Sequence, residues 1–312
     1  MIYASDTFVL PLPAGHRFPM AKYARLRERV ERCAPGRIAV AEAATDAELA
    51  RAHDPAYVNA VAAGALDERD QRRIGFPWSP AMVERSRRSA GATLGACRSA
   101  LRGGLGVNLA GGTHHAHRSH GAGWCVFNDA AVAVRAMRAE GRARRAIVVD
   151  LDVHQGDGTA DILGGDPDVV TFSVHGRRNF PFRKAVSTID VELDDGAGDG
   201  EYLDTLAAVL PRAIARARPD LAIYLAGADP YAGDRLGRLA LSKAGLADRD
   251  RIVLDELAAR GVPVAIVMAG GYAENVDDVV DIHCATVALA LERARAATAA
   301  AAVLASARRE SA

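Results

Sequence analysis

Six short apolar runs punctuate the chain, at residues 106–110, 146–151, 169–174, 187–193, 222–226 and 264–268. Several, such as Ala-Ile-Val-Val and Val-Ala-Ile-Val-Met, lack the polar alternation of a half-exposed strand. Such runs suit strands covered on both faces, as in parallel sheets flanked by helices. Between and around them lie helical patterns, over 20–32, 55–63, 80–101, 128–140, 200–217, 242–259 and 276–305. Pro55 and Pro80 stand where a helix begins, each behind a capping-type residue, Asp54 and Ser79. Strand–helix alternation therefore predicts an α/β fold, a single open, mostly parallel sheet with helices on both faces. The chain has 312 residues, no internal repeat and no Pro-, Gly- or Ser-rich linker, so one domain is expected over 1–312.

Composition excludes several classes of function. Lys plus Arg and Asp plus Glu both number 39, and a net charge of zero argues against a nucleic-acid partner. The arginine clusters at 85–88 and 135–145 read instead as solvated helix faces, and the Ala-rich 296–312 as the frayed end of the last helix. No uninterrupted apolar run approaches the ~18 residues of a membrane span, and the N-terminus lacks the basic start and apolar run of a signal peptide. Cys33, Cys97, Cys125 and Cys284 form no CxxC pair, which argues against a cysteine zinc site and suits a reducing compartment. The expected localisation is cytoplasmic. Oligomeric state is not legible.

Ligands of open α/β sheets bind beyond the carboxyl ends of the strands. Four such ends carry dense glycine or polar sequence: 111–115 (GGTHH), 150–158 (DLDVHQGDG), 227–230 (GADP) and 270–272 (GGY). In the second, Asp150, Asp152 and His154 alternate, which on a strand puts them on one side at roughly 6.6 Å spacing. Three such groups at a sheet mouth call for a cation, each ligand atom standing about 2 Å from it. Asp229 follows another apolar run and belongs to the same rim. Two carboxylates and an imidazole make a mixed site with room for water, as in catalytic zinc centres, and Mn²⁺ or Fe²⁺ suits the same ligands. The adjacent His114 and His115 are candidates for acid–base work, with Asp150 and Asp157 as partners that would orient the rings. His117 and His120 are read as solvent-facing. Tyr272, after two glycines, would present a phenol to a developing negative charge. Gly103–Gly106 precedes its strand and is no dinucleotide fingerprint, 194–201 lacks EF-hand spacing, and no Walker or G-x-S-x-G motif occurs.

Six segments in order, HDPAYV (53–58), GGTHHA (111–116), GAGWCVFND (121–129), VVDLDVHQGDGT (148–159), LAGADPYAGDRLG (225–237) and AGGY (269–272), resemble the zinc-dependent histone deacetylase family of the arginase/deacetylase superfamily. The stretch PWSPAMVERSRRSAGAT and the short form are most similar to the class IV branch and its bacterial relatives. The resemblance implies zinc ligation by Asp152, His154 and Asp229. It makes His115, paired with Asp157, the general base, His114, paired with Asp150, an electrostatic partner, and Tyr272 the donor to the scissile carbonyl. Gly123, Trp124 and Phe180 would line an acyl-lysine tunnel, Trp124 standing where the family usually has phenylalanine. Thr113 replaces the family's usual proline or tryptophan, a change expected at the rim. A structural K⁺ or Na⁺ would sit among Asp150, Asp152, His154, Ser173 and Val174. The implied substrate is an acylated protein lysine or an acylated small amine. An acetylpolyamine hydrolase shares the same motifs. A ureohydrolase needs two metals and further Asp-rich motifs, and a non-catalytic acyl-lysine binder would not need every catalytic position.

Overall fold

The computed structural model describes residues 1–310, with side chains described over 1–296. Its elements run β1 (Ile2–Ala4), α1 (Ala21–Cys33), β2 (Ile38–Val40), α2 (Asp46–Leu49), α3 (Pro55–Ala63), α4 (Glu68–Ile74), α5 (Pro80–Gly103), β3 (Leu105–Asn108) and α6 (Asp129–Ala139). There follow β4 (Ala146–Asp150), α7 (Asp157–Leu163), β5 (Val169–Gly176), β6 (Ile189–Leu193), α8 (Asp199–Ala217), β7 (Leu221–Leu225), α9 (Lys243–Ala258), β8 (Val264–Val267) and α10 (Val276–Glu310).

The strands form one sheet in the order β2-β1-β3-β8-β7-β4-β5-β6, and every ladder is parallel. All five residues of β4 and of β7 are buried, because consecutive side chains enter opposite cores. Ile147, Val149, Ala222, Tyr224 and Ile266 pack with α1, α8, α9 and α10. Ala146, Val148, Ile223, Leu225 and Val267 pack with α3, α5 and α6. The unbroken apolar runs thus record helices on both faces. The edge strand β6 keeps the alternation of a strand with one open side.

The strands β1 and β2, three residues each, escape a periodicity reading because they are too short to show one. Ser79 caps α5 by accepting the Met82 N–H at 3.1 Å, whereas Asp54 makes no side-chain cap to α3. The reading of the arginine clusters as solvated faces needs correction. Arg85 is buried, donates to Ser5 O and Phe8 O at 3.0 Å and lies 4.3 Å from the centre of the Tyr23 ring. Arg135 and Arg138 both pair with Asp166. The Ala-rich tail continues α10 to Glu310, and residues 311–312 lie outside the described residues. No helix among the described residues is long and apolar enough to cross a membrane.

Candidate active site

Four strands that are scattered in sequence, β3, β8, β7 and β4, are consecutive neighbours in the sheet. The segments that leave their carboxyl ends are therefore side by side, and they are the four singled out by their polar and glycine content.

The strand β4 ends at Asp150, so Asp152 and His154 lie in the loop beyond it. Alternation along a strand is thus not what brings them together; the loop's own hydrogen bonds do. The His154 N–H donates to Asp152 Oδ1 at 3.0 Å, and His154 Nδ1 is 2.9 Å from that oxygen and 3.3 Å from Asp229 Oδ2. Each carboxylate is held by a backbone N–H, Asp152 Oδ2 by Gly270 at 2.8 Å and Asp229 Oδ1 by Val153 at 2.9 Å. That leaves Asp229 Oδ2 buried with no hydrogen-bond partner among the described residues. One ligand atom from each of the three residues lies within 4.8 Å of the others. Burial, and then the charge of Asp152, push the Asp229 carboxyl up to about 7. Burial opposes charge on His154, but its bond to Asp152 and the nearby Asp229 carboxylate raise it to about 10. The cluster demands positive charge, and a donor set of two carboxylates and one imidazole with an unsatisfied buried oxygen fits a divalent ion of the zinc, iron or manganese type.

The histidine pair is anchored from behind. His114 Nδ1 donates to Asp150 Oδ2 at 2.7 Å and His115 Nδ1 to Asp157 Oδ1 at 2.6 Å, all four side chains being buried. With Nδ1 engaged, Nε2 of each ring is the free nitrogen, and that of His114 lies 3.8 Å from Asp152 Oδ1. Burial works against charge on His114, yet Asp150 and Asp152 raise it to about 9. Burial and then the charge of His114 lower His115 to about 4, with Asp157 opposing. Two adjacent imidazoles so separated give one cation and one neutral base near pH 7. Burial raises Asp157, but its bonds to His115 and His117 hold it well below the usual carboxylate range. His117 is accordingly not solvent-facing. It is half-buried, 3.3 Å from Asp157 Oδ2, and stacked on His120 with ring centres 4.5 Å apart.

These groups open into a cavity of about 540 Å³ whose lining includes His114, His115, Asp152, His154, Gly123, Trp124, Phe180 and Tyr272. The Phe180 ring meets His115 edge-on at 4.8 Å. A Cβ at Gly123 would stand 2.8 Å from His115 Cδ2, so glycine lets the wall approach the imidazole. The Trp124 ring centre is 5.2 Å from that of Tyr272. Burial, then Asp152 and Asp229, push the Tyr272 phenol well above its ordinary value, so it stays a protonated donor. Cys125 also lines the cavity. Thr113 lines it too, with its hydroxyl bonded to Asp129 at 2.6 Å. Ser173 is the register partner of Asp150 on β5, with Val174 next, and both are buried.

Of three supporting residues, two carry no signal of their own in the sequence. Asp129 accepts the N–H groups of Gly112 and Thr113 at 3.0 and 2.7 Å and so clamps the turn before the histidines. Arg249, fully buried, donates to Gly227 O at 2.6 Å and Leu151 O at 3.3 Å, tying together the two loops that carry Asp229 and Asp152. Lys22, also buried, donates to Ala269 O and Gly271 O and lies 5.3 Å from the centre of the Tyr272 ring. Asp129 sits inside a family-like segment, but Arg249 and Lys22 lie in amphipathic helices, where a charged residue reads as solvated.

A family described as "Histone deacetylase domain" matches residues 16–287. An uncharacterised protein of Picosynechococcus sp. is 44% identical over 91% of this chain and 95% of its own length. Histone deacetylase 2 of Arabidopsis thaliana is 32% identical and the acetoin utilization protein AcuC of Bacillus subtilis 30%, each over 66% of this chain. The chain spans only 52% and 58% of those two proteins. The solved structure of the HDA15 HD domain shares the fold with a TM-score of 0.75, at 23% identity over 93% of this chain and 90% of that one. With the family match running through the sheet, the histidine pair and the Asp-His-Asp cluster alike, the chain belongs to the histone deacetylase domain family.

Proposed function

We propose that this chain is a metal-dependent hydrolase that removes acyl groups from lysine side chains of proteins. The observation that carries the reading is the convergence of the Asp152–His154–Asp229 cluster, two oppositely biased histidine–aspartate pairs and the half-buried Tyr272 phenol on one cavity. A divalent ion held by Asp152, His154 and Asp229, zinc by preference, would supply Lewis-acid activation of the acyl carbonyl and of water. Asp157 fixes His115 with its free Nε2 towards the cavity, where the neutral ring accepts the proton of the attacking water and returns it to the leaving amine. Cationic His114, held by Asp150, adds positive charge beside the reacting centre. The Tyr272 hydroxyl donates to the acyl oxygen as negative charge builds there. Gly123, Trp124 and Phe180 enclose the aliphatic stem of the acyl-lysine, with Trp124 narrowing the passage more than a phenylalanine would. A K⁺ or Na⁺ ion among Asp150, Asp152, His154, Ser173 and Val174 would brace the cluster from behind. The products are a free lysine amine and a carboxylate.

The test is hydrolysis of an acetyl-lysine peptide by the zinc-loaded chain, read as acetate and free amine. Tyr272→Phe retains its metal and loses about 10²–10³ in turnover, the usual cost of one such donor. Unchanged turnover in that variant, or no hydrolysis of any acyl-lysine by the parent chain, refutes the proposal.

A further inference from the structure

The floor of the cavity is acidic, but its mouth is not. Arg17, Arg72, Arg73, Arg178 and Arg238 line it, contributed by four separate segments, and among the described residues the one carboxylate in the lining is Asp152 at the floor. Arg72 and Arg73 pair with Glu68 and Asp70 on their own helix, each at 3.1 Å. Arg178 and Arg238 share one carboxylate, Asp195, at 3.8 and 3.1 Å. Arg17 is exposed and has no ion-pair partner among the described residues. Five guanidinium groups therefore face three carboxylates, and Arg235, exposed and bonded through Nε to Tyr272 O, adds another charge close by.

The pairs are solvent-exposed: the side chains of Arg72, Arg178 and Arg238 keep 72%, 75% and 54% of their accessible surface. Exposed pairs of this kind hold their partners weakly and exchange them readily. A guanidinium offers a planar fork of donors that matches a carboxylate. The excess charge also surrounds the entrance to a cleft, where field lines concentrate and oppositely charged ligands gain in encounter rate.

Resting on the deacylase reading, we infer that the arginine-rimmed mouth selects acyl-lysines flanked by aspartate or glutamate and disfavours polycationic substrates, acetylated polyamines and lysine-rich segments alike. The acyl-lysine stem enters between Trp124 and Phe180, while neighbouring carboxylates of the peptide exchange onto Arg17, Arg178 and Arg238.

The experiment compares kcat/KM of the zinc-loaded full chain on acetyl-lysine peptides flanked by glutamate, glycine or lysine, and on an acetylated polyamine. The expected gain is about threefold per flanking carboxylate, or roughly tenfold and more between the glutamate and lysine peptides. The gap collapses at about 0.5 M salt, where the Debye length is only roughly 4 Å. In the triple variant Arg17→Glu, Arg178→Glu, Arg238→Glu the preference reverses, and because it is a ratio within one preparation, any inactive fraction cancels. Equal rates on the three peptides, or faster cleavage of the lysine peptide or the polyamine, overturn the inference while leaving amide hydrolysis intact. Failure to cleave even the glycine-flanked peptide overturns the deacylase reading and this inference with it.

Discussion

Gly270 is the most demanding position in the metal-type cluster, and Gly270→Ala tests it. A Cβ there would fall inside contact distance of Asp229 Oδ2, and it would stand 2.6 Å from Asp152 Oδ2 and 2.7 Å from Asp229 Cγ. Carbon atoms rest about 3.5 Å apart, so Asp229 must retreat by roughly 0.8 Å. Asp229 cannot absorb that shift by turning freely, because its Oδ1 is held by the Val153 N–H. The backbone N–H of residue 270 also holds Asp152, so moving the loop instead disturbs the second carboxylate. Metal–oxygen bonds span only about 2.0–2.2 Å, and a displacement of this size takes a ligand out of range. The expected loss in zinc affinity is about 100-fold or more, beyond the roughly 10- to 100-fold usual on disturbing a ligand's supporting partner. Competition against a chromophoric chelator measures it, and thermal melting of the metal-free chain separates it from misfolding. Wild-type zinc affinity in Gly270→Ala would show that the three residues do not share an ion in this geometry.

Two further expectations concern stability. His53 accepts the Asn128 N–H on Nε2 at 2.9 Å and bonds His117 O through Nδ1 at 2.9 Å, and burial lowers it from 6.5 to about 4. Its folded value lies below its unfolded one, so its contribution is complete above pH 6.5 and is lost as pH falls towards 4. Between pH 7 and pH 5 the wild type should therefore lose about 2 kcal/mol more than His53→Gln in urea titrations, and parallel losses would contradict this. Arg249→Met leaves Asp250 buried with only Tyr224 and Thr286 to bond it, at a cost of about 3–5 kcal/mol. A melting temperature lowered by less than about 2 °C would argue against that pairing.

The central strands were readable because burial on both faces leaves an unbroken apolar run, as in Ala146–Asp150 and Leu221–Leu225. The strand order was not, since nothing local in β3 says that it pairs with β8 rather than with β4. That order is what makes one site of four distant segments. Asp152 and His154 were identified for a reason only partly sound: their strand stops at Asp150, and a loop fixed by His154, Gly270 and Val153 does the converging. The roles of Arg249 and Lys22 depend on which carbonyls the fold brings to their tips, Gly227 for one and Ala269 and Gly271 for the other. Helical periodicity cannot express such contacts. The mouth arginines were illegible for the same reason, being scattered from residue 17 to residue 238.

The central claim is that Asp152, His154 and Asp229 jointly hold a single catalytic ion. Its most direct test is the metal content of the purified full chain and of Asp229→Ala, measured by elemental analysis beside acetyl-lysine hydrolysis. One equivalent of divalent metal per active wild-type chain, with metal and activity lost together in the variant, is the predicted result. Two equivalents per chain, or a variant that keeps a full equivalent, would contradict it.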